Sequence, residues 1–292
     1  VRFDGRKIEV VEGKSRLMNF DCRLISRRGW RLSLTEDFNW DIAERIDFFD
    51  PIGLTFLAGL IENQMKISRS GSITFKPEII NYLERIHFLA YLEREYQARI
   101  RISPNRPGIH PKPLKDRLLE FDRKIFTNST DIERCIQNLS QLCQERIGGA
   151  IRFEYIDDVF GELLSNVEIH SGTNSFLVIA QRYPQAELLK ISISDLGIGI
   201  PAKIRSKFEH LNNDTDAIIY AAEPNVTTSG MGGLGLTTLK SYLVDPQDYL
   251  FIASNNGCVK FSGGKIKRMN NFQSPMTGTF VEICFKANSS FR

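Results

Sequence analysis

The 292-residue sequence predicts a mixed α/β (α+β) protein built from two folded units. Three observations carry this prediction. Strand-like and helix-like patterns alternate over residues 1–102. The stretch SPNRPGIHPKP at 103–113 contains four prolines and cannot continue a helix or a central strand. After residue 150 a helical pattern is followed by several apolar strand-like segments. We therefore predict a small α/β domain at 1–102, a proline-rich link and helical connector at 103–149, and a second domain at 150–292.

In the first unit, apolar segments at 30–35 and 46–50 are typical of short buried strands. The segment GLTFLAGLIENQMK at 53–66 places its apolar residues at helical spacing. Residues 71–77 alternate like a strand and stop at a proline. Residues 78–95 have a strongly amphipathic pattern, which predicts one continuous helix. The order of these elements indicates strands that alternate with helices.

The second unit has an equally clear order. Residues 114–148 are predicted to be mostly helical and to end at a Gly-Gly pair. A further helix is predicted over 155–170, and another begins near Leu236. Strand-like segments follow at 176–183, 188–195, 249–254, 257–262 and 278–286. One sheet with helices packed on it is the expected arrangement.

Composition and charge exclude several classes of protein. The chain is 42% hydrophobic and 25% charged, which are ordinary values for a globular protein. Its net charge of +3 argues against nucleic acid as a partner. Five cysteines without CxxC spacing indicate neither a zinc site nor a disulfide framework, so a reducing, cytoplasmic setting is expected. No apolar run is long enough to span a membrane, so no membrane partner is expected.

The stretch ELLSNVEIHS at 162–171 carries polar side chains inside an apolar helical pattern. Glu162, Asn166 and His170 stand four residues apart and share one face, because successive helical residues turn by about 100°. A carboxylate there can take a proton from water or a hydroxyl group. An amide oxygen can serve as one ligand of Mg²⁺. Taken alone, such a row is more often a solvated stripe than a site.

Two glycine-containing loops follow this helix in the sequence. In DLGIGIP, Asp195 ends a strand, and Gly197 and Gly199 permit close approach of the backbone. The second loop, GMGGLGL at 230–236, opens a helix, where backbone N–H groups favour an anion such as phosphate. Its spacing is neither that of a dinucleotide-binding fingerprint nor that of a Walker A sequence.

Four motifs occur in a fixed order in the second unit: an ExxxN helix, a DxGxG strand end, a glycine-rich loop and a final strand that starts with Gly-Thr. This order resembles the ATP-binding domain of the gyrase, heat-shock chaperone, histidine kinase and mismatch-repair ATPase superfamily, known as GHKL, over about residues 150–287. The resemblance implies a Bergerat-type two-layer α/β sandwich. It also implies ATP and Mg²⁺ as cofactors, in a pocket between the sheet and its helices.

The same resemblance implies a role for each matched residue. Glu162 matches the general base and Asn166 the magnesium ligand. Asp195 matches the carboxylate that accepts a hydrogen bond from the adenine amino group, with Gly197 and Gly199 beside it. His170 stands where the family often has His or Lys. The remaining matches are Thr279, which supports adenine recognition, and the phosphate-covering loop residues Gly232, Gly233, Leu234, Gly235 and Leu236.

One departure concerns charge near the phosphates. Family members often have TTK before the phosphate loop, whereas this chain has TTS, ending at Ser229. A positive charge is therefore missing or is supplied by Lys203, Arg205 or Lys207. On sequence grounds these three are more typical of solvated helix residues than of phosphate ligands.

The first unit has a resemblance of its own. RIDFFDPIGLTFLAGL at 45–60 resembles the STAS-type domain of anti-sigma factor antagonists, in which a serine of the strand–helix turn is phosphorylated. Asp50, Gly53 and Leu54 match that turn. Pro51 and Ile52 stand where the hydroxyl groups would be, so the phosphoacceptor is absent from these positions.

The two resemblances together favour an Mg²⁺-ATP-binding regulatory protein closest to the anti-sigma factor serine kinases. It would have slow ATPase activity or serine/threonine phosphotransfer activity, with nucleotide state controlling contact with a protein partner. A non-catalytic, nucleotide-bound scaffold is the alternative, and a nucleic-acid-remodelling ATPase is a third reading that the charge disfavours. Superfamily relatives often dimerise, so a homodimer is one expected assembly.

Overall fold

The computed structural model describes residues 2–4, 7–9, 37–41, 49–103, 118–147, 155–226, 235–269 and 275–286. The predicted strand at 30–35 and residues 46–48 lie outside this described part. The protein is mixed α/β, as the sequence predicts. Within the described ranges, no helix combines the length and the apolar character needed to cross a membrane.

The N-terminal half contains a two-stranded antiparallel ribbon and a three-stranded parallel sheet in the order β3–β4–β5. One helix lies in the described part of the connection from β3 to β4, and two helices connect β4 to β5. The elements are β1 (Arg2–Asp4), β2 (Lys7–Glu9), β3 (Asp37–Asp41), α1 (Pro51–Met65), β4 (Ser70–Thr74), α2 (Pro77–Arg85), α3 (Phe88–Tyr96) and β5 (Ile100–Ser103), with a single 3₁₀ turn (Gln97–Arg99) before β5.

Helix α1 starts two residues earlier than the predicted helix at 53–66. Asp50 caps it, since its Oδ1 accepts a hydrogen bond from Gly53 N at 3.1 Å. Pro51 occupies the first turn, where a missing N–H costs nothing. Every residue of α1 except Glu62 is buried. A helix that is apolar on all sides must be covered on all sides, and α1 is covered by both halves of the protein.

The prediction of one continuous helix over 78–95 is wrong. His87 adopts a left-handed backbone conformation with φ 64°, which separates α2 from α3. The break frees the carbonyl group of Ile86, which accepts a hydrogen bond from Phe121 N at 2.8 Å. Tertiary contact with another strand therefore overrides a local helical pattern.

The C-terminal half is dominated by one antiparallel sheet of seven strands, in the order β11–β10–β9–β12–β8–β7–β6. Among the described residues, five helices accompany it before β9. The elements are β6 (Leu118–Ile125), α4 (Ser129–Ile147), α5 (Ile156–Asn166), β7 (Ser175–Tyr183), β8 (Leu188–Asp195), α6 (Ile200–Arg205), α7 (Asp214–Ala221), α8 (Gly235–Ser241), β9 (Tyr249–Asn255), β10 (Gly257–Ser262), β11 (Lys265–Arg268) and β12 (Met276–Lys286).

The prediction that residues 114–148 are mostly helical is wrong for the part that forms β6. This strand pairs with β7 at the edge of the seven-stranded sheet. Its Phe121 is buried against Phe88 and Tyr91 of α3, with ring centroids 4.9 Å away in each pair. The expected connector therefore contributes an edge strand and the helix α4.

The large sheet is covered on both faces. Helices α4, α5, α7 and α8 pack on one face, which we call the front, against side chains such as Ile191, Ile193 and Val281. Helix α1 packs on the opposite face, the rear, against Leu177, Phe251 and Phe280, among others. Within the described residues, helices thus cover the sheet on both faces, and the N-terminal half supplies the rear layer.

A buried polar cluster joins the start of α1 to the rear of the sheet. Lys190 Nζ lies 3.1 Å from Asp50 Oδ2 and 3.7 Å from Glu282 Oε1. Glu282 also accepts hydrogen bonds from Ile52 N at 3.0 Å and from the Tyr249 hydroxyl at 2.6 Å. Burial alone would lower the pKa of Lys190, but the two carboxylates raise it, so the ammonium stays charged. The cluster attaches α1 to β8 and β12.

Replacement of Lys190 by Met should strongly destabilise the protein. The substitution leaves Asp50 and Glu282 buried without their cation, a defect that typically costs about 3–5 kcal/mol. Urea unfolding would measure the loss. Lys286→Met is the matched control, because the 3.3 Å ion pair of Lys286 with Glu187 is solvent-accessible and worth at most about 1 kcal/mol. Equal losses in the two variants would contradict the assigned importance of the cluster.

Candidate functional site

The end of β8 and the start of β12 hold a buried carboxylate on the front of the sheet. Asp195 lies directly opposite Thr279 in the strand pairing. Its carboxylate accepts hydrogen bonds from Gly197 N, at 2.8 Å, and from the backbone N–H and hydroxyl of Thr279. Burial raises the pKa of Asp195 to about 6, although these hydrogen bonds lower it. We call Asp195, Gly197, Gly199 and Thr279 the carboxylate end of the site.

The two glycines after Asp195 are required by geometry. A side chain at Gly197 would overlap the carbonyl oxygen of Ser171, which also accepts a hydrogen bond from Ile198 N at 2.8 Å. Gly199 has a φ of 83° and would overlap Asn255 if it carried a side chain. The loop therefore lies tightly between the turn after α5 and the end of β9.

Ser254 supports the carboxylate end and was missed by the sequence analysis. Its hydroxyl accepts a hydrogen bond from Ile200 N at 2.9 Å and donates one to the carbonyl oxygen of Gly278 at 2.8 Å. It also lies 3.3 Å from the hydroxyl of Thr279. No local motif marks this residue, because its role depends on β9 being the neighbour of β12 in the sheet.

Helix α5 places Glu162 and Asn166 on the front of the sheet, beside the start of α8. A Cβ atom at Gly235 would lie 2.5 Å from Glu162 Oε2 and 3.6 Å from Asn166 Nδ2. Asn166 Nδ2 is buried and has no hydrogen-bond partner in the described part of the chain. Rotation of the amide exchanges Nδ2 with Oδ1, so this position can present either a donor or an acceptor. We call Glu162, Asn166 and Gly235 the amide end of the site.

A second carboxylate adjoins Glu162. The pKa of Glu162 is raised by burial and, to a lesser extent, by Asp158 one helical turn earlier. Asp158 accepts a hydrogen bond of 2.6 Å from the Tyr242 hydroxyl. The ring of Tyr242 stacks on that of Tyr155, with centroids 4.2 Å apart. These contacts fasten the end of α8 to the start of α5. The spacing of Asp158 and Glu162 was visible in the sequence, but the tyrosine pair was not.

His170 lies beyond the regular part of α5, in a wide turn of π-helical type at Val167–Ser171. Such turns are frequent at functional sites. The imidazole is half-buried, and its pKa is lowered by burial and by the nearby ammonium group of Lys203. Of the three candidate cations, Lys203 thus lies close to the site. Arg205 is instead engaged with Asp214 at 2.5 Å, and Lys207 is exposed.

A single turn connects the two ends of the site. The turn at Val167–Ser171 begins directly after Asn166, and its last carbonyl group binds the loop that follows Asp195. Leu236, in the first turn of α8, packs against the front core. The predicted loop residues Gly232, Gly233 and Leu234, and the TTS stretch, lie outside the described residues. The described ranges contain no group of three or more His, Cys, Asp or Glu side chains suited to a metal ion.

Comparison with known proteins adds no family assignment. The chain matches no model of a known protein family, and a comparison with curated proteins also yields no match. The superfamily resemblance therefore stays a prediction from the motifs.

Proposed function

We propose that this chain is an Mg²⁺-ATP-binding regulatory protein of the GHKL type. In this proposal it hydrolyses ATP slowly or transfers its terminal phosphoryl group to a protein, and nucleotide state controls contact with that partner. The observation that carries the proposal is the arrangement of the site. A buried, hydrogen-bonded carboxylate and a Glu–Asn pair lie on the same face of one antiparallel sheet, and a single turn connects them.

The carboxylate end fits a purine amine. Because Asp195 is buried, ionisation of its carboxyl group costs free energy, and its pKa is raised to about 6. A ligand that donates a hydrogen bond to it compensates for lost hydration. Gly197 packs closely against Ser171, so the main chain, rather than a side chain, lies beside that carboxylate. An adenine amino group is a donor of the required kind.

The amide end fits a magnesium–phosphate group. Asn166 has a buried amide atom without a partner, and Gly235 keeps the start of α8 close to it. Mg²⁺ commonly takes one or two protein ligands and completes its shell with water and phosphate oxygens, so a large acidic cluster is not required. When bound, the ion would neutralise phosphate charge that develops during transfer. Lys203, close to His170, would add positive charge on the same surface.

Glu162 is suited to move a proton. Its raised pKa makes the carboxylate a better proton acceptor than an exposed glutamate. It lies beside Asn166 on one helix face, so a water or hydroxyl group next to the phosphate would be within its reach. Asp158 and Tyr242 hold the surrounding helices together and so keep Glu162 in place.

A non-catalytic scaffold is the second candidate, and one observation favours it. The start of α1 at Asp50, Pro51 and Ile52 carries no hydroxyl group and is buried. Thr55, the nearest hydroxyl in α1, is fully buried and hydrogen-bonded to the carbonyl of Ile52. Phosphotransfer to the protein's own N-terminal turn is therefore not supported, and any phosphoacceptor belongs to another molecule or segment.

The decisive experiment compares the wild type with Glu162→Gln. Calorimetry with ATP and Mg²⁺ should give similar binding for both, because the amide retains the size of the side chain. Turnover should fall by about 10²–10⁴-fold if Glu162 acts as the general base. Phosphate release would indicate an ATPase, and phosphoprotein detected by mass spectrometry would indicate a kinase. A folded wild-type protein that does not bind ATP would refute the proposed function, and stable binding without turnover would favour the scaffold.

Gly235→Ala should impair turnover without unfolding the protein. The added methyl group would lie 2.5 Å from Glu162 Oε2 and push a flexible side chain away from its position. A displacement of this size can cost about 10²-fold in rate. Gly161→Ala is the matched control, because a Cβ there meets nothing within 4 Å. That control should keep full turnover and gain about 0.5–1 kcal/mol of stability. Equal turnover in the two variants would argue against the placement of Glu162.

Base recognition should depend on pH through Asp195. Above pH 6 the ionised carboxylate favours ATP, whose base donates a hydrogen bond, over inosine triphosphate, which presents a carbonyl oxygen. Below that pH the protonated group can donate to the carbonyl, so the ATP preference should shrink by about tenfold. Calorimetry would measure the ratio of the two affinities. Because both nucleotides carry the same triphosphate, protonation of the phosphates affects both affinities equally and does not change the ratio. A ratio that does not change with pH would contradict the role of Asp195.

A further inference from the structure

Helix α1 packs closely against the sheet directly behind the carboxylate end of the site. The ring of Phe56 stacks on that of Phe280, with centroids 4.6 Å apart and planes inclined by 18°. Phe251 meets Phe56 edge-on at 6.4 Å. All three rings are buried, so no solvent layer separates α1 from the sheet at this point.

Gly59 brings the helix backbone unusually close to the sheet. A Cβ atom at Gly59 would lie 2.7 Å from Phe280 Cζ and 3.3 Å from Leu196 Cδ2. Glycine in a helix interior is less favourable than alanine by about 0.5–1 kcal/mol. Its presence in a fully buried helix is explained by the lack of room for even one methyl group.

The side chains that α1 touches are chain neighbours of the recognition residues. Phe280 follows Thr279 on β12, and Leu196 follows Asp195 at the end of β8. Successive strand residues point to opposite faces of a sheet, so Thr279 faces the site while Phe280 faces α1. Close-packed interiors transmit small displacements, and a shift of α1 would move both neighbours together.

We propose that α1 sets the position of Asp195 and Thr279 from the rear of the sheet, so that the N-terminal half tunes base recognition by the nucleotide site. Phe56 and Gly59 act as positioning residues, through Phe280 and Leu196. The inference rests on the proposed function, because it concerns how the same site selects its base. The N-terminal half is then a built-in regulator rather than a phosphorylation substrate.

Gly59→Ala tests this directly. The methyl group must displace Phe280 or lift α1, so the preference for ATP over inosine triphosphate should fall by about tenfold, which corresponds to one lost hydrogen bond. Binding of inorganic tripolyphosphate, which lacks a base, should not change. Phe56→Leu, which loosens the same contact without a clash, should weaken the preference in the same direction. Gly161→Ala, a glycine substitution in a helix away from this contact, should keep the wild-type preference.

The possible results separate the two levels of the proposal. If the wild type does not bind ATP, the proposed function fails and this inference fails with it. If the wild type prefers ATP and both variants retain the full preference in a folded state, only the role of α1 is refuted. If Gly59→Ala does not fold, Phe56→Leu decides. Loss of tripolyphosphate binding together with ATP binding would also overturn the inference, because a general structural defect would explain it.

Thermodynamic linkage between α1 and the nucleotide site supplies a second measurement, whose result a purely structural contact would not change. If α1 changes the affinity for ATP, then ATP must stabilise the docking of α1 by the same free energy. Hydrogen exchange of the α1 amides should therefore slow on saturation with ATP, and less so with inosine triphosphate at equal saturation. Identical exchange of α1 in the free and the ATP-bound protein would contradict the proposal.

Discussion

The position of α1 depends on the burial of Lys190 between Asp50 and Glu282. Burial of any one of these charges without the others would be strongly unfavourable. The ion pairs, together with the hydrogen bonds from Ile52 N and the Tyr249 hydroxyl to Glu282, compensate for the loss of water. These directional contacts fix one end of an otherwise apolar helix. The remaining turns of α1 lie along the rear of the sheet, where their apolar side chains are buried. The polar contacts add a direction that the hydrophobic effect lacks, and the close fit of Gly59 against Phe280 then sets the register of the rings behind the site.

The two faces of the sheet use their carboxylates differently. On the rear, Glu282 and Asp50 share a cation and are satisfied within the protein. Burial raises the pKa of Asp195 and Glu162 on the front, as it raises that of Glu282 on the rear. The Lys190 ammonium opposes the shift at Glu282, whereas only hydrogen bonds oppose it at Asp195, and at Glu162 the neighbouring Asp158 adds to it. The front face therefore keeps polar groups in a state of higher free energy than they would have in water. A ligand that supplies hydrogen-bond donors or positive charge stabilises such groups. The free energy that folding loses by burying them is then partly recovered as binding free energy.

Much of this arrangement could be predicted from the sequence, and the exceptions have physical reasons. Local periodicity and turn residues predict several elements: the regular part of α5, the strand that ends at Asp195, the strand that begins before Thr279, and α1. Strand β6 could not be predicted, because its sequence is compatible with a helix until β7 pairs with it. The break at His87 has the same origin in tertiary contact. Ser254 and the Tyr155–Tyr242 stack depend on which elements become neighbours, which no local pattern records.

The edge position of β6 has a consequence for how such a protein can arise and change. A gene segment that encoded only the residues after 150 would yield a sheet whose β7 edge was unpaired and whose rear side chains, such as Leu177 and Phe251, faced water. The complementary segment would leave the largely apolar helix α1 uncovered on the side that packs on the large sheet. Neither half is therefore an interchangeable module for recombination.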